Sequence, residues 1–254
     1  IYERTWQDNL TPIHEQMIAM AGLRPGDNVL ELACGSGMLT FRAAGLVAPG
    51  GMIEASDISI EMVELVQGRA DAMGCDNVAV TRADAEFVDA GADSFDAALC
   101  GLGLMYMPDP VAALSAMYRA LKPGGRAVLS IWGERRNCAW ADMFPIVDST
   151  VQSEVCPLFF NLGAGDNLAM AMQRAGFERP LIHRIDATLG FYDRTDTVEA
   201  MIDGGAVALA AKRFDAATRA HVEQAFLDSI AAHARPNGGY DIPSEFVVAV
   251  GTKT

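Results

Sequence analysis

Short apolar runs alternate with helix-patterned segments between residues 28 and 132, and this alternation limits the possible folds more than any other feature. The apolar runs occupy residues 28–33, 52–57, 78–82, 95–100 and 125–132. Amphipathic patterns typical of covering helices lie at residues 59–73 and 110–121. Strands that alternate with helices build βαβ units, so we expect an α/β fold around a parallel sheet.

The stretch NVLELACGSGMLT at residues 28–40 predicts a tight turn from the first strand into a helix. Gly35 and Gly37 would let backbone N–H groups approach a ligand at the positive end of the helix dipole. A dinucleotide fingerprint requires a third glycine where Thr40 stands, so that motif is incomplete. Glycines also occur in such turns for packing alone, and the turn by itself leaves both interpretations open.

Asp57 ends the second predicted strand, at a position where a carboxylate can accept hydrogen bonds from both hydroxyls of a ribose. The same residue could instead cap the following helix, with Glu61 or Met62 in its first turn. Because Ser59 is also a suitable cap, the two roles are compatible.

After residue 132 the alternation stops. Residues 133–164 are rich in aromatic side chains and poor in charges, so this segment is expected to pack against the rest of the protein. Beyond it we predict a helix at 167–175 and a strand at 181–189. Helical residues at 194–233, interrupted at Gly204 and Gly205, precede a last strand at 244–253.

Charge and cysteine content narrow the kinds of partner. The formal net charge of −14 disfavours nucleic acid and anionic lipid surfaces. The five cysteines contain no C-x-x-C pair, which fits neither a disulfide framework nor a zinc site. No apolar run reaches the roughly 18 residues of a membrane helix. We therefore expect a cytoplasmic protein without a membrane span.

The motifs VLELACGSG, ASDISIEMVE, RADAEFV, FDAALCGLGLMYMPDP and LKPGGRAVLSIW follow one another along the chain. Their order and spacing resemble the class I S-adenosylmethionine-dependent methyltransferases, most closely the ubiquinone/menaquinone-biosynthesis type. The resemblance is good over residues 1–135 and holds only in outline beyond them. It implies a Rossmann-like, seven-stranded, mostly parallel sheet with an antiparallel last strand, helices on both faces and a helical cap.

In domain terms, this predicts an N-terminal lid segment at residues 1–20 and a methyltransferase domain at 21–254. Cap insertions would lie at about 133–164 and 194–236. Together with the lid segment they are expected to cover the crevice at the carboxyl ends of the strands.

The resemblance also implies a set of cofactor-binding residues. These are Tyr2, Trp6, Glu31, Ala33, Gly35, Gly37, Asp57, Ile58, Met62, Asp84, Ala85 and Cys100. Glu31 would hold the turn or reach the methionyl amine, and Asp57 would bind the ribose. Ile58 and Ala85 would enclose the adenine ring, while Asp84 would accept a hydrogen bond from its exocyclic amine.

Further roles are implied for the remaining positions. Gly35 and Gly37 would face the methionine portion of the cofactor. Cys100 would offer its backbone carbonyl to the methionyl amine. Tyr2 or Trp6 would close over the cofactor from the N-terminal segment.

Two departures from the family pattern affect the expected site. Ala33 stands where the family usually has glycine, so its methyl group could displace the cofactor slightly without excluding it. Met105 and Tyr106 replace a frequent His-His pair, which removes the obvious general base. Tyr106 is then expected to position the acceptor.

The four histidines, His14, His183, His221 and His233, are scattered and lack metal-ligand spacing, so we expect surface or packing roles for them.

A group of apolar and aromatic residues near the ends of the strands suits a substrate wall, although ordinary core packing would explain it equally well. Its members are Met105, Tyr106, Trp132, Trp140, Phe144, Phe159 and Phe160.

The leading hypothesis is methyl transfer by in-line displacement from S-adenosyl-L-methionine, giving S-adenosyl-L-homocysteine, to a small apolar or aromatic acceptor. O-, N- and C-methylation all remain open. No metal and no nucleic acid are expected, and the protein would be a monomer or homodimer. The alternatives are a nicotinamide-dependent oxidoreductase and a non-catalytic S-adenosylmethionine-binding protein. An arsenite methyltransferase would need converging thiols, for which Cys34, Cys138 and Cys156 are the candidates.

Overall fold

The computed structural model describes residues 2–151 and 159–254, and its centre is one β-sheet. The strands are β1 (Asn28–Leu32), β2 (Met52–Asp57), β3 (Val78–Arg82), β4 (Phe95–Gly101), β5 (Leu121–Trp132), β6 (Leu181–Phe191) and β7 (Tyr240–Thr252). They form a seven-stranded sheet in the order β3-β2-β1-β4-β5-β7-β6. β1 to β5 are parallel, whereas β7 runs antiparallel to both β5 and β6. The predicted Rossmann-like sheet is confirmed.

Helices surround this sheet. The α-helices are α1 (Tyr2–Ala21), α2 (Met38–Val47), α3 (Ile60–Met73), α4 (Pro110–Ala120), α5 (Met143–Asp148), α6 (Asn167–Arg174), α7 (Arg194–Val198), α8 (Ala208–Ala211) and α9 (Ala216–Ser229). A π-helical turn, Glu199–Asp203, follows α7 directly. Short 3₁₀ helices lie at Leu104–Tyr106, Arg135–Asn137, Ala139–Asp142 and Ala231–His233. Within the described residues, no helix is both long and apolar enough to cross a membrane.

The central strands were predictable because they are buried on both faces. Val29, Ala98 and Leu129 have no exposed surface, and parallel strands covered by helices on both sides read as continuous apolar runs.

β5 and β7 begin earlier than predicted. β5 starts at Leu121, which pairs with Phe95 before the register shifts, and β7 pairs with β6 from Tyr240 onward. Both extensions depend on partners far away in the sequence, which a local pattern does not reveal.

Most of the segment predicted as an N-terminal lid is a core helix. α1 has 20 residues, and its Leu10, Ile13 and Met17 side chains are almost completely buried. It packs on β5, β6 and β7 as well as on α2. Only residues on one face of α1 reach the carboxyl ends of the strands.

The start of α1 is tied to elements on two sides. Arg4 pairs with Asp196 of α7 and with Glu199 of the π-helical turn. Glu3 pairs with Arg69 of α3, whose guanidinium also donates a hydrogen bond to the Ser36 carbonyl at 2.7 Å. The first turn of α1 therefore bridges the two halves of the sheet above the strand ends.

Candidate functional site

Two adjoining cavities lie at the carboxyl ends of the strands. The larger has a volume of about 890 Å³ and the smaller about 70 Å³. They share Tyr2, Leu102, Tyr106, Gly204 and Gly205 in their linings. A ligand in the larger cavity would therefore lie directly beside a ligand group in the smaller one.

The turn between β1 and α2 forms one wall of the larger cavity. Gly35 lines the cavity with φ of 54°, and a side-chain carbon built on it would meet no atom within 4 Å. Gly37 also has a positive φ, 85°, but a side-chain carbon there would lie 2.8 Å from the ring of Phe41. Gly35 thus leaves open space for a ligand, whereas Gly37 is required for packing beneath the turn.

Asp57 fastens this turn to the end of β2. One carboxylate oxygen accepts a hydrogen bond from the Gly35 amide at 2.9 Å, and the other accepts from the Ser59 amide at 2.9 Å. The helix cap is Ser59, whose hydroxyl accepts from the Met62 amide at 3.3 Å. Asp57 is therefore not the cap, and its side chain lines the larger cavity.

Glu31 is a buried carboxylate at the floor of the same cavity. It is 2% exposed, and its Oε2 atom has no hydrogen-bond partner among the described residues. Burial raises the pKa of Glu31 to about 8, the Thr40 hydroxyl opposes this rise, and the negative charge of Asp57 adds to it. A cationic group in the cavity would satisfy this oxygen.

The residues implied for the adenine also line the larger cavity. Ile58, Asp84 and Ala85, the positions that the resemblance implied for the adenine, all line it, and so does Met62, which was implied for the cofactor without a stated contact. The Asp84 carboxylate accepts a hydrogen bond from the Glu86 amide at 3.0 Å, which fixes the loop after β3.

The sequence analysis overlooked the residues at the end of β4 and just after it. Gly101, Leu102 and Gly103 line the larger cavity, whereas Cys100 is buried and does not. Leu102 has φ of 54°, and its amide donates to the Ser130 carbonyl at 2.9 Å. The G-L-G pattern within the quoted motif was a local signal for a turn at these residues.

Ala33 also has a left-handed backbone, with φ of 54°. This conformation favours glycine, which gives a physical reason for the glycine usual at this position. A side-chain carbon built on Gly103 would lie 2.6 Å from the Ala33 methyl carbon. The methyl group of Ala33 is therefore accommodated because residue 103 is a glycine.

Trp6 closes the smaller cavity rather than the larger one. Its indole N–H donates to the Ala200 carbonyl at 3.2 Å and to the Gly204 carbonyl at 3.1 Å. Tyr2 lines both cavities and contacts Trp6, with ring centroids 6.3 Å apart. The first two turns of α1 thus contribute to both cavities.

The smaller cavity is lined by uncharged residues, many of them aromatic. They are Tyr2, Trp6, Leu102, Met105, Tyr106, Trp132, Trp140, Phe159, Met201, Gly204, Gly205 and Ala206. The ring centroids of Trp132 and Trp140 are 4.8 Å apart, and those of Tyr106 and Phe159 are 5.2 Å apart. The Trp140 indole N–H is buried and has no partner among the described residues.

Phe144 and Phe160, also predicted for the substrate wall, do not line the cavity. They pack behind it against Trp140, at centroid distances of 5.9 Å and 5.5 Å. They support the lining rather than form it.

His14 is a residue of the site that the sequence analysis placed among the packing or surface histidines. It projects from α1 into the lining of the larger cavity and is 5% exposed. Burial, with the positive charge of Arg42 as a second cause, lowers the pKa of His14 to about 4. Its imidazole is therefore neutral near pH 7.

The cysteines considered for arsenite do not share a cavity where they are described. Cys34 lines the larger cavity, and Cys138 is buried with its thiol 3.7 Å from the Glu245 carbonyl oxygen. Cys156 lies outside the described residues. Over residues 2–151 and 159–254, no group of three or more His, Cys, Asp or Glu side chains is placed to hold a metal ion.

Comparison with known families identifies the family of this chain. The sequence model of the ubiE/COQ5 methyltransferase family matches residues 4–139, more than half of the 254-residue chain. The chain belongs to this family. The match includes the whole β1–α2 turn, Asp57 and the turn after β4, and it ends one residue before Trp140.

Individual relatives are similar over the same part. The ubiquinone/menaquinone biosynthesis C-methyltransferase UbiE of Francisella tularensis subsp. tularensis is 37% identical over 116 residues, 45% of this chain and 46% of that protein. The similarity thus spans about half the length of the curated relatives.

Solved structures extend the likeness of fold to nearly the whole chain. YcgJ of Bacillus subtilis has a TM-score of 0.64 at 17% identity, covering 94% of this chain and 97% of that one. Phosphoethanolamine N-methyltransferase 2 of Haemonchus contortus, in complex with S-adenosyl-L-methionine, has a TM-score of 0.63 at 16% identity. It covers 100% of this chain and 56% of that one. At these identities the likeness shows the fold alone.

The Ala33–Gly103 contact predicts a pair of opposite stability effects. Ala33→Gly should stabilise the protein by about 1 kcal/mol, because glycine adopts the left-handed backbone without steric cost. Gly103→Ala should destabilise it, because the new carbon would meet the Ala33 methyl. Thermal melts should show Tm rising by about 2–4 °C in the first variant and falling in the second. The double variant should recover most of the stability that Gly103→Ala alone loses. If the two substitutions instead change Tm additively, the contact between residues 33 and 103 is contradicted.

The buried Glu31 predicts a pH-dependent stability. Its pKa is about 8 in the folded protein, against an ordinary value of 4.5 for an exposed glutamate, so the folded state holds this proton more tightly. The free energy of unfolding should therefore fall as pH rises from about 5 to 8, by up to about 1.4 kcal/mol per unit from this group. In urea denaturation, Glu31→Gln should lack this pH-dependent contribution. The free energy of unfolding of the variant should therefore increase relative to that of wild type as pH rises from about 5 to 8. Glu64→Gln, at an exposed position on α3, is the control. Parallel pH profiles of wild type and Glu31→Gln would contradict the assignment.

Proposed function

We propose that this protein transfers a methyl group from S-adenosylmethionine to a small apolar or aromatic acceptor. The observation that carries the proposal is the pairing of the two cavities. One is lined by a glycine turn and carboxylates, the other by uncharged aromatic side chains, and they meet at Leu102 and Tyr106. A cofactor and an acceptor group could thus be held side by side.

The larger cavity fits the cofactor on several independent grounds. The unpaired Glu31 oxygen would receive its positively charged methionyl amine. Asp57 presents a carboxylate suited to the ribose hydroxyls, and the space over Gly35 admits the ligand against the backbone. Ile58 and Ala85 supply apolar surface for the adenine, with Asp84 at its edge.

S-adenosylmethionine supplies a methyl group on a sulfonium, whose positive charge is lost as the methyl is transferred. The residues around the acceptor favour that loss because the lining of the smaller cavity is uncharged. Tyr2 and Trp6 would exclude water from the smaller cavity, and Trp132 and Trp140 would hold the acceptor group in a fixed position. Alignment of this kind can supply a large part of a displacement rate without a strong base.

Tyr106 would position the acceptor at the junction of the cavities. Its side chain is half-exposed and its ring packs on Phe159. The indole N–H of Trp140 is a further donor that an oxygen or nitrogen of the acceptor could satisfy. This lining therefore favours an acceptor that is mostly apolar and carries one polar atom.

The family membership supports the proposal for the cofactor more than for the acceptor. The curated relatives are named as ubiquinone/menaquinone biosynthesis C-methyltransferases, and the matched segment contains the cofactor cavity. Trp140, Phe159, Met201 and Gly204 lie beyond that segment.

Asp57→Ala tests the cofactor assignment. Losing hydrogen bonds to a charged group costs about 1.5–3 kcal/mol, so S-adenosylhomocysteine should bind roughly 10- to 150-fold more weakly. Titration calorimetry measures this, with the exposed Asp76→Ala as the control. Because Asp57 also fastens the turn, Asp57→Asn should be tested alongside and should retain intermediate affinity. Wild-type affinity in Asp57→Ala would refute the assignment.

The acceptor assignment is tested by transfer of a labelled methyl group to a panel of phenols, quinols, aromatic amines and alkyl alcohols. We expect turnover with aromatic members and none with the alkyl alcohols. Trp140→Phe keeps an aromatic side chain but removes the N–H donor, so it should raise KM for a polar aromatic acceptor with little effect on cofactor affinity. Individual replacement of His183, His221 or His233 by alanine should lower the single-turnover rate by less than the roughly 100-fold minimum of a lost general base.

A further inference from the structure

A partly buried ion pair lies on the two antiparallel strands, outside both cavities. The guanidinium Nη1 atom of Arg184, on β6, is 3.1 Å from the carboxylate Oε2 atom of Glu245, on β7. Glu245 is 5% exposed, and neither residue lines the smaller or the larger cavity. A carboxylate buried to this degree loses most of its hydration, and an ion pair returns little net stability in exchange. What the pair holds in place is therefore more informative than its own strength.

The Glu245 residue holds the chain where it leaves β5. Its Oε2 atom accepts a hydrogen bond from the Glu134 amide at 2.7 Å, and its backbone carbonyl accepts from the Gly133 amide at 2.7 Å. A side-chain carbon built on Gly133 would overlap that same carboxylate oxygen. Residue 133 is therefore required to be glycine if Glu245 is to reach the chain, directly after Trp132 of the smaller cavity.

The Arg184 side chain holds the other end of the same segment. Its Nη2 atom donates to the Gly163 carbonyl at 2.9 Å and to the Gly165 carbonyl at 2.6 Å. A side-chain carbon built on Gly163 would overlap the Gly133 carbonyl oxygen, so the two ends lie directly against each other. One ion pair thus fastens both ends of the segment 133–165, which the structure describes at 133–151 and 159–165.

The segment between these two ends supplies part of the smaller cavity. Trp140 and Phe159 line that cavity, and their ring centroids are 6.2 Å apart. Neither residue lines the larger cavity. The Trp140 indole N–H is buried without a partner among the described residues, and a hydrogen bond to it requires a nearly linear approach. The place where an acceptor atom can meet this N–H therefore depends on how the segment is held.

We propose that Arg184 and Glu245 are positioning residues for the methyl acceptor, which act by fixing both ends of the segment that carries Trp140 and Phe159. This inference rests on the proposed function, because it requires the smaller cavity to hold the acceptor. It assigns the alignment of the acceptor to β6 and β7, which lie beyond the residues that match the family model.

Substitutions of the pair separate positioning from stability. Arg184→Met leaves the Glu245 charge buried beside a single amide, so it should lower both Tm and kcat/KM for the acceptor. In Arg184→Met/Glu245→Gln no buried charge is unpaired, and the new amide oxygen can still accept from Glu134, so Tm should recover. The Gly163 and Gly165 carbonyls still lack their donor. The value of kcat/KM should therefore stay about 10- to 100-fold below wild type, because a misplacement of about 1 Å has an effect of this size.

The assay uses labelled S-adenosylmethionine and the aromatic member of the panel that wild type methylates fastest. Arg184→Lys keeps the charge but not the planar fork that reaches two carbonyls and a carboxylate, so its kcat/KM should be intermediate. Affinity for S-adenosylhomocysteine, measured by titration calorimetry, should stay close to wild type in all variants, because neither residue lines the larger cavity.

Tryptophan fluorescence reports on the same cavity without an acceptor. The protein has three tryptophans, and all of them line the smaller cavity: Trp6, Trp132 and Trp140. Each is at most 5% exposed, so acrylamide should quench the emission of wild type only weakly. Quenching should increase in Arg184→Met/Glu245→Gln, because the segment that carries Trp140 is no longer held at both ends.

The matched control is Lys122→Met/Asp96→Asn. Lys122 pairs with the Asp96 carboxylate at 2.8 Å, and this carboxylate also accepts from the Asn28 amide at 2.9 Å. The control therefore removes an ion pair of the same kind from residues that line neither cavity. Its kcat/KM and its quenching should match those of wild type.

The outcomes distinguish the inference from the proposed function. If kcat/KM recovers together with Tm in Arg184→Met/Glu245→Gln, the pair only stabilises the fold, and the inference is wrong while the proposed function stands. If wild type methylates no aromatic acceptor, the proposed function fails, and the inference with it. Should the double variant not fold, Arg184→Lys carries the comparison, and wild-type kcat/KM with unchanged quenching would overturn the inference.

Discussion

The hydrogen bond from the Gly35 amide to the Asp57 carboxylate is the interaction on which the site depends. It joins the end of β1 to the end of β2 and fixes the turn that starts α2. The left-handed backbone at Ala33, the open space over Gly35 and the direction of α2 all follow from that turn. Because one carboxylate both shapes the turn and faces the cavity, ligand contact and loop geometry are coupled through a single side chain.

The sequence predicted the central strands and the turn after β1 because the patterns that indicate them are local. Buried parallel strands appear as apolar runs, and a glycine turn followed by a helix occupies consecutive residues. The residues expected around the adenine, Ile58, Asp84 and Ala85, do line one cavity. Their position follows directly from strand ends that meet at one edge of the sheet.

The rest of the site depends on contacts that no local pattern encodes. Trp6 bonds to the carbonyl of Ala200, 194 residues away, and this contact places it in the smaller cavity. His14 is a single histidine within a helix, and a single residue has no spacing that would indicate a ligand contact. The resemblance implied that the Cys100 carbonyl would contact the cofactor, whereas Gly101, the last residue of β4, is the one that lines the cavity.

The position of β7 between β5 and β6 affects how the protein is made in the cell. β6 is made before β7, but it joins the sheet only by pairing with β7, which lies between β6 and β5. During synthesis β6 has no partner until β7 has left the ribosome, and until then β5 presents an open edge to other chains. A product cut short before residue 240 would therefore lose both strands from the sheet and expose that edge permanently.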